Sequence, residues 1–265
     1  YCTLVSPATL VNEIVDNIDG AAVAAGSPDE IESLVWPCGF RNIEYGVIAA
    51  DYFVSARGYN INQLEAPTPI DFMNLKSFNS HEHTPFPPED LKSIVDDAEA
   101  QGKWANLVLH DYTNDDGAIA YATGRDVWVA PIGTVVKYIL QRDRTVVKNY
   151  TATTDGLHFD LGRTALPAVP NRNINAFVGD DDVVTIRVDV TGAGQVGGVQ
   201  VNGSSTPFDV RAEGDRQALY FDAAVTTTFK GVTVQLADPA QPFLQLGSSS
   251  LSFVATPAEA PTDQQ

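Results

Sequence analysis

Residues 104–143, WANLVLHDYTNDDGAIAYATGRDVWVAPIGTVVKYILQRD, decide how the first half of the chain is read. WANLVLHDY (104–112) is a short apolar run that delivers one histidine, His110, to its end. The loop DYTNDDGAIAYATGR follows, then DVWVA as a strand and PIGTVVKYILQRD as a helix. Working outward, PPEDLKSIVDDAEAQG places Leu91, Ile94, Val95 and Ala98 on one helical face, behind prolines that suit a first turn. Further upstream, YFVSARG and ESLVWPCG read as strands and NIEYGVIAADY as a short helix between them. SPATLVNEIVDNIDG spaces Leu10, Val11, Ile14, Val15 and Ile18 as a helix after a Ser-Pro start. Such alternation predicts βα units that form a parallel sheet or barrel.

Near residue 144 the period changes. VVTIRVDV alternates Val184, Ile186, Val188 and Val190 against Thr185, Arg187 and Asp189, and GVTVQLA does the same with Val232, Val234 and Leu236. With LHFDL, GGVQVNG and ALYFDA between Gly, Asn and Asp turns, these predict an antiparallel β-sandwich over 145–256. Residues 257–265 read as a linker stub or tail.

Sixteen Lys and Arg against 34 Asp and Glu give a net charge of −18, which sets nucleic acid aside because little could neutralise phosphates. No apolar run reaches membrane-spanning length, so no membrane span is expected. Tyr1 begins no signal peptide, which fits a processed, cut or incomplete product, or one without a leader. Two cysteines, Cys2 and Cys38, exclude a disulfide-rich scaffold and a thiolate metal site but permit one bridge in an oxidising compartment.

Functional side chains of parallel α/β folds gather at the carboxyl ends of strands, where His110, Cys38, Arg57 and Cys2 all fall. EAQGKWANLVLHDY, with its L-x-x-H over Leu107 to His110, followed by RDVWVAPIGTVVKYILQRD, resembles the C-terminal half of the polysaccharide deacetylase domain of carbohydrate esterase family 4. LVWPCGF resembles a P-x-G turn of that family, and YFVSARGYN the strand after it. The resemblance covers residues 1–144. It implies a distorted (β/α) barrel lacking its first strands, joined to the sandwich, and a glycan as partner in an extracellular or cell-surface setting. The implied activity is removal of N- or O-acetyl groups by a divalent metal, with zinc the first choice.

Acyl hydrolysis needs a metal to polarise the acyl oxygen, a base to take the water's proton and an acid to protonate the leaving group. The resemblance makes His110 the general acid, while the upstream motif bearing the base Asp is absent from the chain. Against YCTLVSP the family's two metal histidines fall on Cys2 and Ser6, so the metal motif is degenerate here. Arg57 stands as a possible charge partner in place of the Arg that the family carries beside its P-x-G turn, where this chain has Val35. The same alignment brings Cys2 next to Cys38. A bridge between them would close a loop of about 35 residues and stabilise by roughly 3 to 4 kcal/mol. Lacking its first strands, the barrel is expected to have its edge covered by a second chain, an N-terminal fragment or a homo-oligomer.

A rival metal site is the H-x-H of SHEH, His81 and His83, on one side of an extended segment. His158 reads as a surface residue of the sandwich, and the acidic runs NDDG and GDDD as turns. Trp36, Tyr59, Tyr112 and Trp128 are the candidate sugar-stacking aromatics. The function classes that stand are a metal-dependent glycan deacetylase, a non-catalytic glycan-binding protein with the same architecture, and an extracellular structural or assembly module.

Overall fold

The first helix, α1 (Pro7–Ala25), begins where the Ser6 hydroxyl accepts the N–H of Thr9 at 3.1 Å and Pro7 occupies a position that needs no N–H donor. It ends at Gly26, whose φ of 92° a side chain would oppose. The computed structural model describes residues 4–27, 31–37, 41–58, 62–79, 88–108, 115–125, 127–166, 168–171, 183–191 and 195–237, with backbone alone at 79, 88–90 and 115–118. The chain divides into two units, residues 1–139 with 167–177, and 140–166 with 178–265.

In the first unit α1 buries Ile14 and Ile18 in a core with Trp36, Tyr45, Ala49, Phe53 and Ala56. Strand β1 (Ser33–Val35) pairs in parallel with β2 (Ser55–Arg57), Leu34 opposite Ala56, and α2 (Ile43–Ala50) lies between them in sequence. Leu75, just past a 3₁₀ turn at Phe72–Asn74, adds a further parallel rung. Its N–H donates to the Ala56 carbonyl and its carbonyl accepts from Gly58 N, both at 2.9 Å. A second parallel piece joins β3 (Phe78–Asn79) to β4 (Leu107–Val108). Glu65, 4% exposed, accepts from the backbone N–H groups of Ala66 and Lys76 at 2.8 and 2.9 Å. Its own backbone exchanges hydrogen bonds with Trp104. Helix α3 (Pro88–Gln101) buries Leu91, Ile94, Val95 and Ala98. Tyr121 of α4 (Asp115–Thr123) donates to Asp96 of α3 at 2.7 Å, and α5 (Ile132–Arg144) buries Val136 and Ile139.

The (β/α) barrel expected from the alternation and the resemblance is not formed. The chain is mostly β, its large sheets are antiparallel and open, and no set of described strands closes on itself. Closure requires each strand to bond neighbours on both edges with a constant stagger. The parallel strands here are two or three residues long, they fall into two two-stranded pieces, and the described part of DVWVA is no strand. Alternating strands and helices supply the parts of a barrel without supplying the ring of pairings.

The second unit holds two antiparallel sheets. One runs β10 (Phe208–Glu213), β11 (Arg216–Ala224), β7 (Val183–Asp189). The other runs β5 (Thr145–Ala152), β6 (Gly156–Arg163), β12 (Lys230–Leu236), β8 (Val196–Val201), β9 (Ser204–Ser205). Period-two alternation turns Val184, Ile186 and Val188 with Leu219, Phe221 and Ala223 from the first sheet into the same core as Leu157, Phe159, Leu161, Val232 and Val234 from the second. Asn202 and Gly203, both at positive φ, make the tight turn between β8 and β9. Gly156 lies so close to β12 that a Cβ there would clash with the Val234 carbonyl oxygen. On the other face of the three-stranded sheet, Arg187 Nη2 meets Glu213 Oε2 at 2.5 Å, Tyr220 donates to Glu213 Oε1, and Arg211 lies over the Tyr220 ring.

Candidate functional site

The first unit contains a cleft of about 520 Å³, within the size range of small-molecule sites. It is lined by β1, the end of β2 and the segment Lys103–Leu107 that runs into β4, together with residues of α3, α4 and α5 and residues 127–130. Most of the lining is apolar. Arg57 and Lys103 are its charged residues among those described, and no described Asp or Glu lines it although the chain carries 34.

Arg57 is the last residue of β2, so parallel pairing with β1 on one side and the Leu75 rung on the other fix its backbone. Its guanidinium is half-buried, and burial lowers its pKa from the ordinary arginine value. The one hydrogen bond described for it is long, Nη1 to the Gly58 carbonyl at 3.5 Å, and among the described residues no carboxylate pairs with it. Asn106, within the run that carries His110, lines the same cleft. Its Nδ2 is shielded from solvent and has no acceptor among the described residues. Trp128, half-buried, meets Tyr138 edge to face at 5.5 Å between centroids. Trp104 also lines the cleft, its indole N–H donating to the Ala66 carbonyl at 2.8 Å. The cleft thus presents one desolvated cation, one unsatisfied amide donor and two indoles on an apolar wall. That set suits a ligand with an acceptor oxygen and an apolar or sugar face.

Of the residues singled out in the sequence, the structure brings Arg57 and Trp128 to this cleft. Trp36 lies elsewhere, 3% exposed in the core, stacked on Tyr45 and donating through Nε1 to the Met73 carbonyl at 2.8 Å. Ser6 is occupied as the helix cap, its hydroxyl shared between Thr9 N and Thr9 Oγ1. His158 sits half-exposed in β6 beside Thr233 and Asp155. Cys2, Cys38, Tyr59, His81, His83, His110 and Tyr112 lie outside the described residues, and with them the proposed bridge, the general acid and the rival metal site. Among the described residues no three His, Cys, Asp or Glu side chains converge on a point where a metal could bind. No described helix is long and apolar enough to cross a membrane.

Asn106, Lys103 and Trp104 were not singled out by sequence reading. A polar Asn inside an apolar run was the available signal for the first, since buried amides need partners. The second unit's charged face holds Arg187, Glu213 and Tyr220 in mutual contact. The Arg187 hydrogen bond holds the Glu213 carboxyl below its usual range, and burial raises the Tyr220 hydroxyl. These groups satisfy one another, as structural ion pairs do.

The fold and cleft define a two-unit protein, one unit α/β with short parallel pieces and a ligand-sized cleft, the other an antiparallel β-sandwich. No family model, curated protein or solved structure matches the chain.

Proposed function

We propose that this chain is a polysaccharide deacetylase-like protein that binds an acetylated glycan in the Arg57 cleft, with binding rather than hydrolysis as its activity. The observation that carries the reading is that the half-buried, desolvated Arg57 and the Asn106 amide, which has no acceptor among the described residues, line the same apolar cleft. An acetylated sugar supplies acceptor oxygens for the two donors, and its methyl group fits the apolar lining. Trp128 offers a ring face on which a pyranose can stack. The L-x-x-H of WANLVLHDY and the VWVAPIG series support the glycan class, and the Ser6 hydroxyl bound up in the α1 cap supports loss of the metal motif.

Isothermal titration with an N-acetylated chitin oligosaccharide, its fully deacetylated counterpart and an O-acetylated xylan oligomer tests the reading. Binding of an acetylated ligand, lost with the acetyl groups and weakened by Trp128→Ala, is the expected result. Equal binding of acetylated and deacetylated oligomers, or none of either, would sink it.

A further inference from the structure

Strand β10 is the edge of its three-stranded sheet among the described residues. A two-residue turn at Gly214 and Asp215 closes its hairpin with β11, so Glu213 and Arg216 form a hydrogen-bonded pair. Alternation along the ladder then turns the main-chain groups of Asp209, Arg211 and Glu213 toward β11. Those of Phe208, Val210 and Ala212 point outward, away from the sheet. The side chains of Phe208 and Val210 lie on the core face, opposite Phe221 and Leu219, which are 3% and 0% exposed. Yet Phe208 and Val210 are themselves 37% and 38% exposed. The strand therefore combines an open backbone edge with apolar side chains that continue a core face past its last covered strand, an arrangement that natural edges usually avoid.

We propose that β10 is a self-association edge, on which a second copy of this chain adds its own β10 antiparallel about a two-fold axis through Val210. The charge pattern selects this register. With the axis at Val210, Val210 faces the partner's Val210 as a hydrogen-bonded pair, and Phe208 faces the partner's Ala212 in the same way. Asp209 then stands opposite the partner's Arg211, and symmetry repeats that contact. An axis one residue away, at Asp209 or at Arg211, satisfies the same backbone groups but sets a charge against its own copy, which is unfavourable. Arg211 is already held on this face by Asp209 at 2.7 Å and by the Tyr220 ring at 4.9 Å, so little side-chain freedom is lost on pairing. The product is a continuous six-stranded sheet with isologous symmetry.

Sedimentation velocity over a dilution series tests this on the full chain. It should be run at about 0.15 M salt, where screening over about 8 Å shields two chains of charge −18 from one another. The expected result is a mass moving between 28.4 kDa and twice that value with concentration. Arg211→Asp should weaken association about tenfold by opposing two carboxylates twice, and adding Asp209→Arg should restore it. Val210→Pro removes an outward N–H that β11 does not use, and should give monomer with β7 and β11 still protected from amide exchange. A wild-type chain that stays monomeric at every concentration overturns the proposal. So does a dimer that ignores both Val210→Pro and Arg211→Asp. If Val210→Pro unfolds the sheet, the charge swap decides: failure of the double variant to restore association refutes the register.

Discussion

Arg57→Met separates a ligand-binding cation from a structural one. In the free protein the guanidinium has one long described hydrogen bond, 3.5 Å to the Gly58 carbonyl, and its surroundings disfavour the charged form. Methionine keeps the unbranched stem against the cleft wall and removes the desolvated charge. Folding stability should therefore stay within about 0.5 kcal/mol of wild type, or rise slightly. Toward an acetyl oxygen the same group makes a charge-assisted hydrogen bond contributing about 1.5 to 3 kcal/mol, so Kd should rise roughly ten- to a hundredfold. Urea unfolding followed by tryptophan emission measures the first quantity. Trp36, Trp104 and Trp128 all belong to the unit that holds the cleft, and they are the chain's three tryptophans. Calorimetric titration of the same preparation with acetylated chitin oligosaccharide measures the second. A variant that binds as tightly as wild type, or one that loses more than about 2 kcal/mol of stability, would show that Arg57 supports the fold and not a ligand.

Leu219→Ala should cost about 4 kcal/mol, since the side chain is wholly buried in a strand bonded on both edges and its three lost carbons leave a cavity the sheets cannot close. Hydrogen exchange should place the loss in β7 and β11, and a cost under about 1.5 kcal/mol would refute the packing described. Arg187 lowers the Glu213 carboxyl and Thr191 lowers that of Asp189, so both have folded-state pKa values beneath their unfolded ones. Their stabilisation is full above the ordinary carboxylate range and is lost as pH falls through the lowered values, so the sandwich unit should weaken in acid and Glu213→Gln should flatten part of that decline. With zinc added, the chain should release no acetate from acetylated chitin or xylan oligomers, because a site with neither a base nor a motif to hold the metal leaves most of the barrier in place. Zinc-dependent release abolished by His110→Ala would replace the binding role with hydrolysis.

The sandwich strands were legible because period-two alternation over seven or more residues, as in VVTIRVD, allows one buried face and one exposed face. The α3 face was legible for the corresponding reason at helical spacing, and Leu91, Ile94, Val95 and Ala98 are buried as the pattern requires. The barrel was misread because apolar runs of two or three residues look alike in a closed ring and in an isolated parallel pair. Which edge meets which is fixed by partners far away in sequence. The cleft was half legible. Arg57 announces itself as a cation at the end of an apolar run and Trp128 as a large aromatic, but Trp36, equally aromatic, is drawn into the core by Tyr45 and Met73. Asn106 matters because its amide has no acceptor among the described residues, and a missing partner is a property of three-dimensional surroundings that no local spacing displays.

The place of β12 in the five-stranded sheet has a consequence for the order in which the sandwich assembles. It lies between β6 and β8, so His158 contacts Thr233 across 75 residues of chain, whereas β5 with β6 and β10 with β11 are local hairpins. The hairpins can form within microseconds of their own synthesis, while β6 keeps an open apolar edge until residues 230–236 arrive to fill it. Closing so long a loop is slow, and synthesis at about 5 to 20 residues per second makes that interval several seconds long. During it the nascent unit is most exposed to wrong pairing, so a truncation before Lys230 should yield an aggregating chain and not a smaller stable sandwich.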